Sequence, residues 1–123
     1  MKICVTAQGN TVESQLDPRF GRCAYFCIAD TETGDTEFIQ NNPGGGGAGV
    51  AAGQLMINKD IKALITGNLG PNATQVLGAT DIALYRGVMK SVAENIAEFK
   101  NNSLSSINDI GPSHAGLKGG RNR

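Results

Sequence analysis

At 123 residues the chain has the length of one domain, enough to bury a core between a sheet and a few helices and too short for two independent domains. Its 11 basic and 11 acidic residues cancel to zero formal charge, which excludes recruitment of nucleic acid or an anionic membrane by a global field, so any anion site has to be local. Three cysteines, Cys4, Cys23 and Cys27, are an odd count without the density of a secreted disulfide scaffold, and no apolar run reaches the roughly 18 residues of a membrane span.

The chain enters a strand-like segment directly, with no charged and apolar targeting stretch, which predicts a cytoplasmic protein with reduced thiols. Lys2 to Ala7 alternates and is rich in strand formers, predicting a first strand that stops at Gln8-Gly9-Asn10. After a polar loop, Cys23 to Ala29 is apolar throughout, as in a strand covered on both faces. Thr33-Gly34-Asp35 supplies turn chemistry, and Thr36 to Gln40 reads as the returning, more polar edge strand of a hairpin.

Past Asn41-Asn42-Pro43 and four successive glycines, Ala48, Ala51, Ala52, Leu55 and Met56 recur at helical spacing through about Asp60. Lys62 to Gly67 reads as a buried strand, and Pro71 sits where a helix through Leu77 starts. Asp81 to Arg86 is another strand. A third helix from about Val88 to Lys100 places Val88, Val92, Ile96 and Phe99 on one stripe. This order predicts an α/β fold: one three-layer α/β/α domain over residues 1–103 with a mixed five-stranded sheet. Weak periodicity from Leu104 predicts a loosely structured tail over 104–123. Right-handed crossovers bring the loops after Ala7 and Gly67 to one rim.

Three rim segments carry candidate chemistry. Gly44, Gly46 and Gly49 formally match a dinucleotide fingerprint, but four consecutive glycines make such a match almost inevitable, and no acid closes a second parallel strand. The run is either a connector or a loop whose N–H groups approach an anion without side-chain obstruction. Gly67-Asn68-Leu69-Gly70-Pro71-Asn72-Ala73 leads into a helix N-terminus, where unpaired N–H groups and the positive dipole end favour an anion, or it is an ordinary capped turn. Asp17-Pro18-Arg19-Phe20-Gly21-Arg22-Cys23 combines two guanidinium groups, an aromatic ring and a thiol. Arginine donates to sulfide, oxide or phosphate in fixed geometry, and nearby cations would lower the Cys23 pKa. The alternative for Arg19 and Arg22 is surface ion pairing, including with Asp17, with Phe20 as a hydrophobic plug.

Four residues apart in one strand, Cys23 and Cys27 would point to the same face about 13 Å apart and cannot share one metal ion. Cys4 and Cys27 read as buried small hydrophobes. His114 is the only histidine and, with Cys23, the candidate for a single metal bond. Phosphate-loop, nucleophile-elbow and two-metal nuclease patterns are absent from the sequence.

Asp-Pro-Arg-Phe-Gly-Arg-Cys-Ala-Tyr-Phe at 17–26, Gly-Ala-Gly at 47–49 and Thr-Gly-Asn-Leu-Gly-Pro-Asn-Ala at 66–73 together resemble the nitrogenase iron-molybdenum cofactor biosynthesis (dinitrogenase accessory factor) family, including its small stand-alone and orange-protein-type members. The resemblance covers residues 1–103 and implies a ribonuclease-H-like α/β/α fold without nuclease activity. It also implies non-catalytic binding, carriage or assembly of an anionic metal-sulfur cluster, molybdenum-copper sulfide or iron-molybdenum sulfide, held non-covalently. A protein that donates or receives the cluster is implied as partner. Some members carry His where this chain has Arg19, so contact there is implied to be electrostatic or by hydrogen bonding. The expected binding residues are Arg19, Phe20, Gly21, Arg22, Cys23, Gly45, Gly46, Gly47, Asn68, Leu69, Gly70 and Asn72, with Cys23 and His114 as candidate metal ligands. A protein-interaction or regulatory module and a small-anion or nucleotide binder are the competing readings.

Overall fold

The computed structural model describes residues 1–43 and 47–107. Nine elements follow in chain order: β1 (Lys2–Ala7), β2 (Tyr25–Asp30), β3 (Thr36–Gln40), α1 (Ala48–Asn58), β4 (Ala63–Thr66), α2 (Pro71–Gly78), β5 (Ala83–Arg86), α3 (Val92–Lys100) and β6 (Ser105–Ser106). They form one mixed sheet in the order β3-β2-β1-β4-β5-β6. The parallel trio β1, β4 and β5 is flanked by antiparallel partners on both sides.

Alternation along the strands sets the layers. Cys4 on β1, Phe26 and Ile28 on β2 and Leu64 on β4 face one side, where α1 and α2 add Ala52, Met56, Ala73 and Leu77. Ile3, Val5 and Ala7 face the other with Cys27 and Ile65, and there α3 packs Val92, Ile96 and Phe99. Both clusters hold fully buried side chains, so the central strand is covered on both faces, as its apolar run requires. The expected three layers are present.

Three boundaries differ from expectation. The sheet has six strands where five are expected; β6 is a two-residue strand that pairs with Tyr85 and Arg86, too short to leave a period in the sequence. The third helix begins at Val92 instead of Val88, because Ser91 caps it: its hydroxyl accepts from the Glu94 N–H, and the Glu94 carboxylate accepts from the Ser91 N–H. β2 begins at Tyr25, leaving Cys23 in the preceding loop.

Topology also gathers the connectors. β1, β3, β4 and β5 run the same way, so the segments that follow all four emerge at one end of the sheet, while the β2–β3 turn lies at the other. That end lies beyond the carboxyl ends of parallel strands, where the chain leaves β1 in one direction and returns through α1 to β4 on its other side.

Candidate functional site

The segment between β1 and β2 is anchored at several points. Thr6 and Thr66, fully buried at adjacent strand ends, supply the first: the Thr6 hydroxyl donates to the Asp17 carbonyl at 2.6 Å and hydrogen-bonds the Thr66 hydroxyl at 2.8 Å. The Asp17 N–H donates to the Thr6 carbonyl at 2.9 Å, and the Asn68 N–H donates to the Pro18 carbonyl at 2.7 Å. Asn41, just past β3, donates through Nδ2 to the carbonyls of Gly21 (3.0 Å) and Cys23 (2.9 Å). Pro18 also lies so close to Gly67 that a Cβ on that glycine would sit 2.7 Å from the Pro18 Cα.

Beside this loop opens a cleft of about 370 Å³, lined by Arg19 to Arg22, by Gly47, Ala48 and Gly49 at the start of α1, and by Asn68 and Gly70 to Ala73 at the start of α2. The two helix starts approach closely: a Cβ on Gly49 would lie 3.3 Å from the Ala73 nitrogen. Neither start carries a side-chain cap or an acidic residue in its first turn, whereas α3, away from the cleft, has a complete capping box. The first N–H groups of a helix have no intrahelical acceptor and carry the positive end of its dipole. At α1 these belong to Ala48 and Gly49; at α2, where Pro71 lacks an N–H, to Asn72 and Ala73.

Two guanidinium groups line the same cleft, Arg19 and Arg22. Arg19 is 63% exposed yet paired with Asp17, 3.0 Å from Nη2 to Oδ2. Burial would raise the Asp17 pKa, but hydrogen bonds from the Arg19 side chain and from the Arg19 and Ala24 N–H groups outweigh it and hold the carboxyl below its ordinary range. The described part of the lining presents positive dipoles, guanidinium groups and amides, with no thiol, imidazole or carboxylate. Among the described residues no group of three or more His, Cys, Asp or Glu side chains is placed to hold a metal ion. Such a surface can attract an anion by charge and hydrogen bonding.

The expected residues divide accordingly. Arg19, Phe20, Gly21, Arg22, Gly47, Asn68, Gly70 and Asn72 come together around the cleft. Leu69 packs against the core beneath α1 and α2 instead. Gly45, Gly46 and His114 lie outside the described residues. Cys23 is 1% exposed and joins the core; burial and the Asp17 charge push its thiol up to about 12, only partly offset by its own N–H, Arg19 and Asn41. That corrects the expected lowering by neighbouring arginines. Because Cys23 precedes the strand, it also shares a face with Cys4, and Cys27 faces the other side, which corrects their expected common face. Burial likewise raises Cys4 well above the ordinary range and Cys27 to about 12.

Ala48, Gly49, Pro71 and Ala73 also line the cleft; the last two lie in the segment expected to favour an anion though outside the expected binding residues, and Ala48 and Gly49 at the α1 start were missed. Proline at the first helical position marked the α2 start, but the approach of two helices through Gly49 and Ala73 has no local signature.

The fold and cleft define a small α/β protein whose rim gathers guanidinium groups and two uncapped helix starts. The chain belongs to the dinitrogenase iron-molybdenum cofactor family, whose model matches residues 1–102. It is 33% identical over 112 residues to a Methanocaldococcus jannaschii protein described as uncharacterised, covering 87% of this chain and 92% of that one. Among solved structures it resembles the apo form of the orange protein from Desulfovibrio gigas, with TM-score 0.81 and 31% identity over 85% of this chain and 91% of that one. A Thermotoga protein described as NifB-like has TM-score 0.78 and 29% identity over 89% of this chain and 96% of that one.

Proposed function

We propose that the protein binds and carries an anionic metal-sulfur cluster, molybdenum-containing and of the molybdenum-copper or iron-molybdenum sulfide type, and hands it to or takes it from a protein partner without catalysing a reaction. The observation that carries this reading is the convergence of Arg19, Arg22 and two uncapped helix starts on one cleft whose described lining has no metal-ligating side chain. A sulfide cluster that completes its own coordination needs only a complementary cradle. Terminal sulfides accept hydrogen bonds from guanidinium and backbone N–H groups, and the cleft supplies both. Membership in the dinitrogenase iron-molybdenum cofactor family supports molybdenum as one of the metals of that anion.

A partner is consistent with the surface beside the cleft. Helix α1, whose start lines the cleft, has no charged residue along Ala48–Asn58 and leaves Val50 in its first turn 41% exposed, so a recipient docking on that helix meets no helix charge to desolvate.

Titration with tetrathiomolybdate, alone and with copper, tests the reading by visible absorbance after gel filtration. The expected result is a coloured stoichiometric complex with the native chain and none with the Arg19→Ala, Arg22→Ala double variant. Equal uptake by both, or no uptake by the native chain, contradicts it. ATP and phosphate in parallel thermal-shift experiments separate the small-anion and nucleotide alternatives.

A further inference from the structure

The cleft contains an electrostatic contradiction. Asp17, 1% exposed, sits beside a site read as anion-binding and neutralises one of its two cleft-lining arginines. By charge alone its presence weakens attraction for any anion.

Its geometry points to a different role. Oδ1 accepts from the Arg19 N–H at 3.1 Å and from Nε at 3.0 Å, while Oδ2 accepts from Nη2 at 3.0 Å and from the Ala24 N–H at 3.2 Å. The guanidinium is therefore gripped at two points along one edge, which fixes its plane as well as its position. A guanidinium has five N–H donors in a fixed fork. With two turned to Asp17, three donors remain on a residue that lines the cleft. Held this way, a 63% exposed side chain loses rotamer freedom before a ligand arrives, and binding no longer has to supply that ordering.

We propose that Asp17 is a positioning residue for anion binding, acting through Arg19 to present a rigid, outward guanidinium edge to a multi-atom oxo or thio anion. This rests on the reading of the cleft as an anion site. The same carboxylate closes the turn onto Ala24, so the clamp and the loop are set by one buried group.

The decisive experiment titrates tetrathiomolybdate into the native chain and the Asp17→Asn, Arg19→Ala, Arg19→Lys and Asp17→Asn, Arg19→Ala variants. Positioning predicts that Asp17→Asn weakens binding about tenfold, the scale of one charge-assisted hydrogen bond, although it removes a negative charge. In the Arg19→Ala background Asp17→Asn should change affinity by less than about twofold. Arg19→Lys keeps the charge but not the fork, so it should bind as weakly as Arg19→Ala.

Unchanged or tighter binding by a folded Asp17→Asn overturns the inference, as does a loss that persists undiminished without Arg19. Circular dichroism establishes whether Asp17→Asn folds; if it does not, the Arg19→Lys comparison decides, and native affinity in that variant overturns the proposal. No binding by the native chain overturns the reading of the cleft and this inference with it, whereas native binding indifferent to Asp17 overturns the inference alone.

Discussion

Gly21 and Gly49 meet backbone to backbone: a methyl group on Gly21 would lie 3.0 Å from the Gly49 nitrogen and 3.1 Å from its Cα. The contact joins the arginine-bearing loop to the first turn of α1, and both partners line the cleft. Main chain on both sides leaves nothing flexible to yield. Gly21→Ala is therefore expected to cost about 1–3 kcal/mol as an overpacking substitution, read as a lower urea midpoint, and to weaken anion binding. Gly78→Ala, where a Cβ meets nothing within 4 Å, serves as the control and should not weaken binding.

Asn95 predicts a larger effect away from the cleft. It is fully buried; Oδ1 accepts from the Val88 N–H at 2.8 Å, and Nδ2 donates to the carbonyls of Val88 and Ser91, each at 2.9 Å. Its amide thus holds the connector from β5 to α3. Asn95→Ala leaves the Val88 N–H without its acceptor, at about 1–3 kcal/mol if it stays buried, and removes the amide from two carbonyls that keep only the Lys90 and residue-95 N–H donors. Chemical denaturation should show a loss of at least about 2 kcal/mol.

The thiols predict an alkaline limit to stability. Cys23 and Cys27 titrate at about 12 when folded, Cys4 is also raised, and burial dominates in all three. An unfolded thiol ionises near 8.5. The contribution from keeping them neutral is therefore complete below that pH and is lost as pH rises toward the folded values. Thermal midpoints should fall progressively above about pH 9, less steeply in Cys27→Ala relative to its own neutral-pH value. At pH 8 a thiol reagent such as Ellman's should label the native chain only at the rate of unfolding, and rapidly in denaturant.

Asp17 sets the opposite limit. Its folded pKa is depressed, so the stabilisation is present above the unfolded value of about 3.9 and is lost as pH falls through the lower folded value. Acid titration of the native chain by circular dichroism should show a loss of stability below about pH 4 that is smaller in Asp17→Asn. An identical acid profile in a folded Asp17→Asn variant would remove Asp17 as its source.

Sequence alone carried the sheet and its layers well, because β1 and β4 alternate between two faces that are both apolar, and Pro71 announces its helix. Ser91 and Glu94 show where reading by stripe goes wrong: the apolar period runs back to Val88, but the Ser-x-x-Glu pattern stops the helix at Ser91. β6 has two residues and exists through its pairing with β5. At the site, residue types in the Asp17 to Cys23 loop marked the anion chemistry, but not how it is assembled. Asn41 reaches 20 residues back to the Gly21 carbonyl, and Arg19 pairs with Asn68 across an isolated parallel bridge. Contacts of that separation have no period. The expected common face of Cys23 and Cys27 fails because strand alternation does not reach Cys23, two residues before β2 starts at Tyr25.

The most direct test of the central claim is an amide chemical-shift map of the native chain titrated with tetrathiomolybdate. The cleft predicts saturable shifts centred on the N–H groups of Gly21, Ala48, Gly49, Asn72 and Ala73, with the turn at Thr33 to Asp35, at the far end of the sheet, unmoved. Shifts centred on that turn or around buried Cys4, or none at saturating anion, would contradict the account.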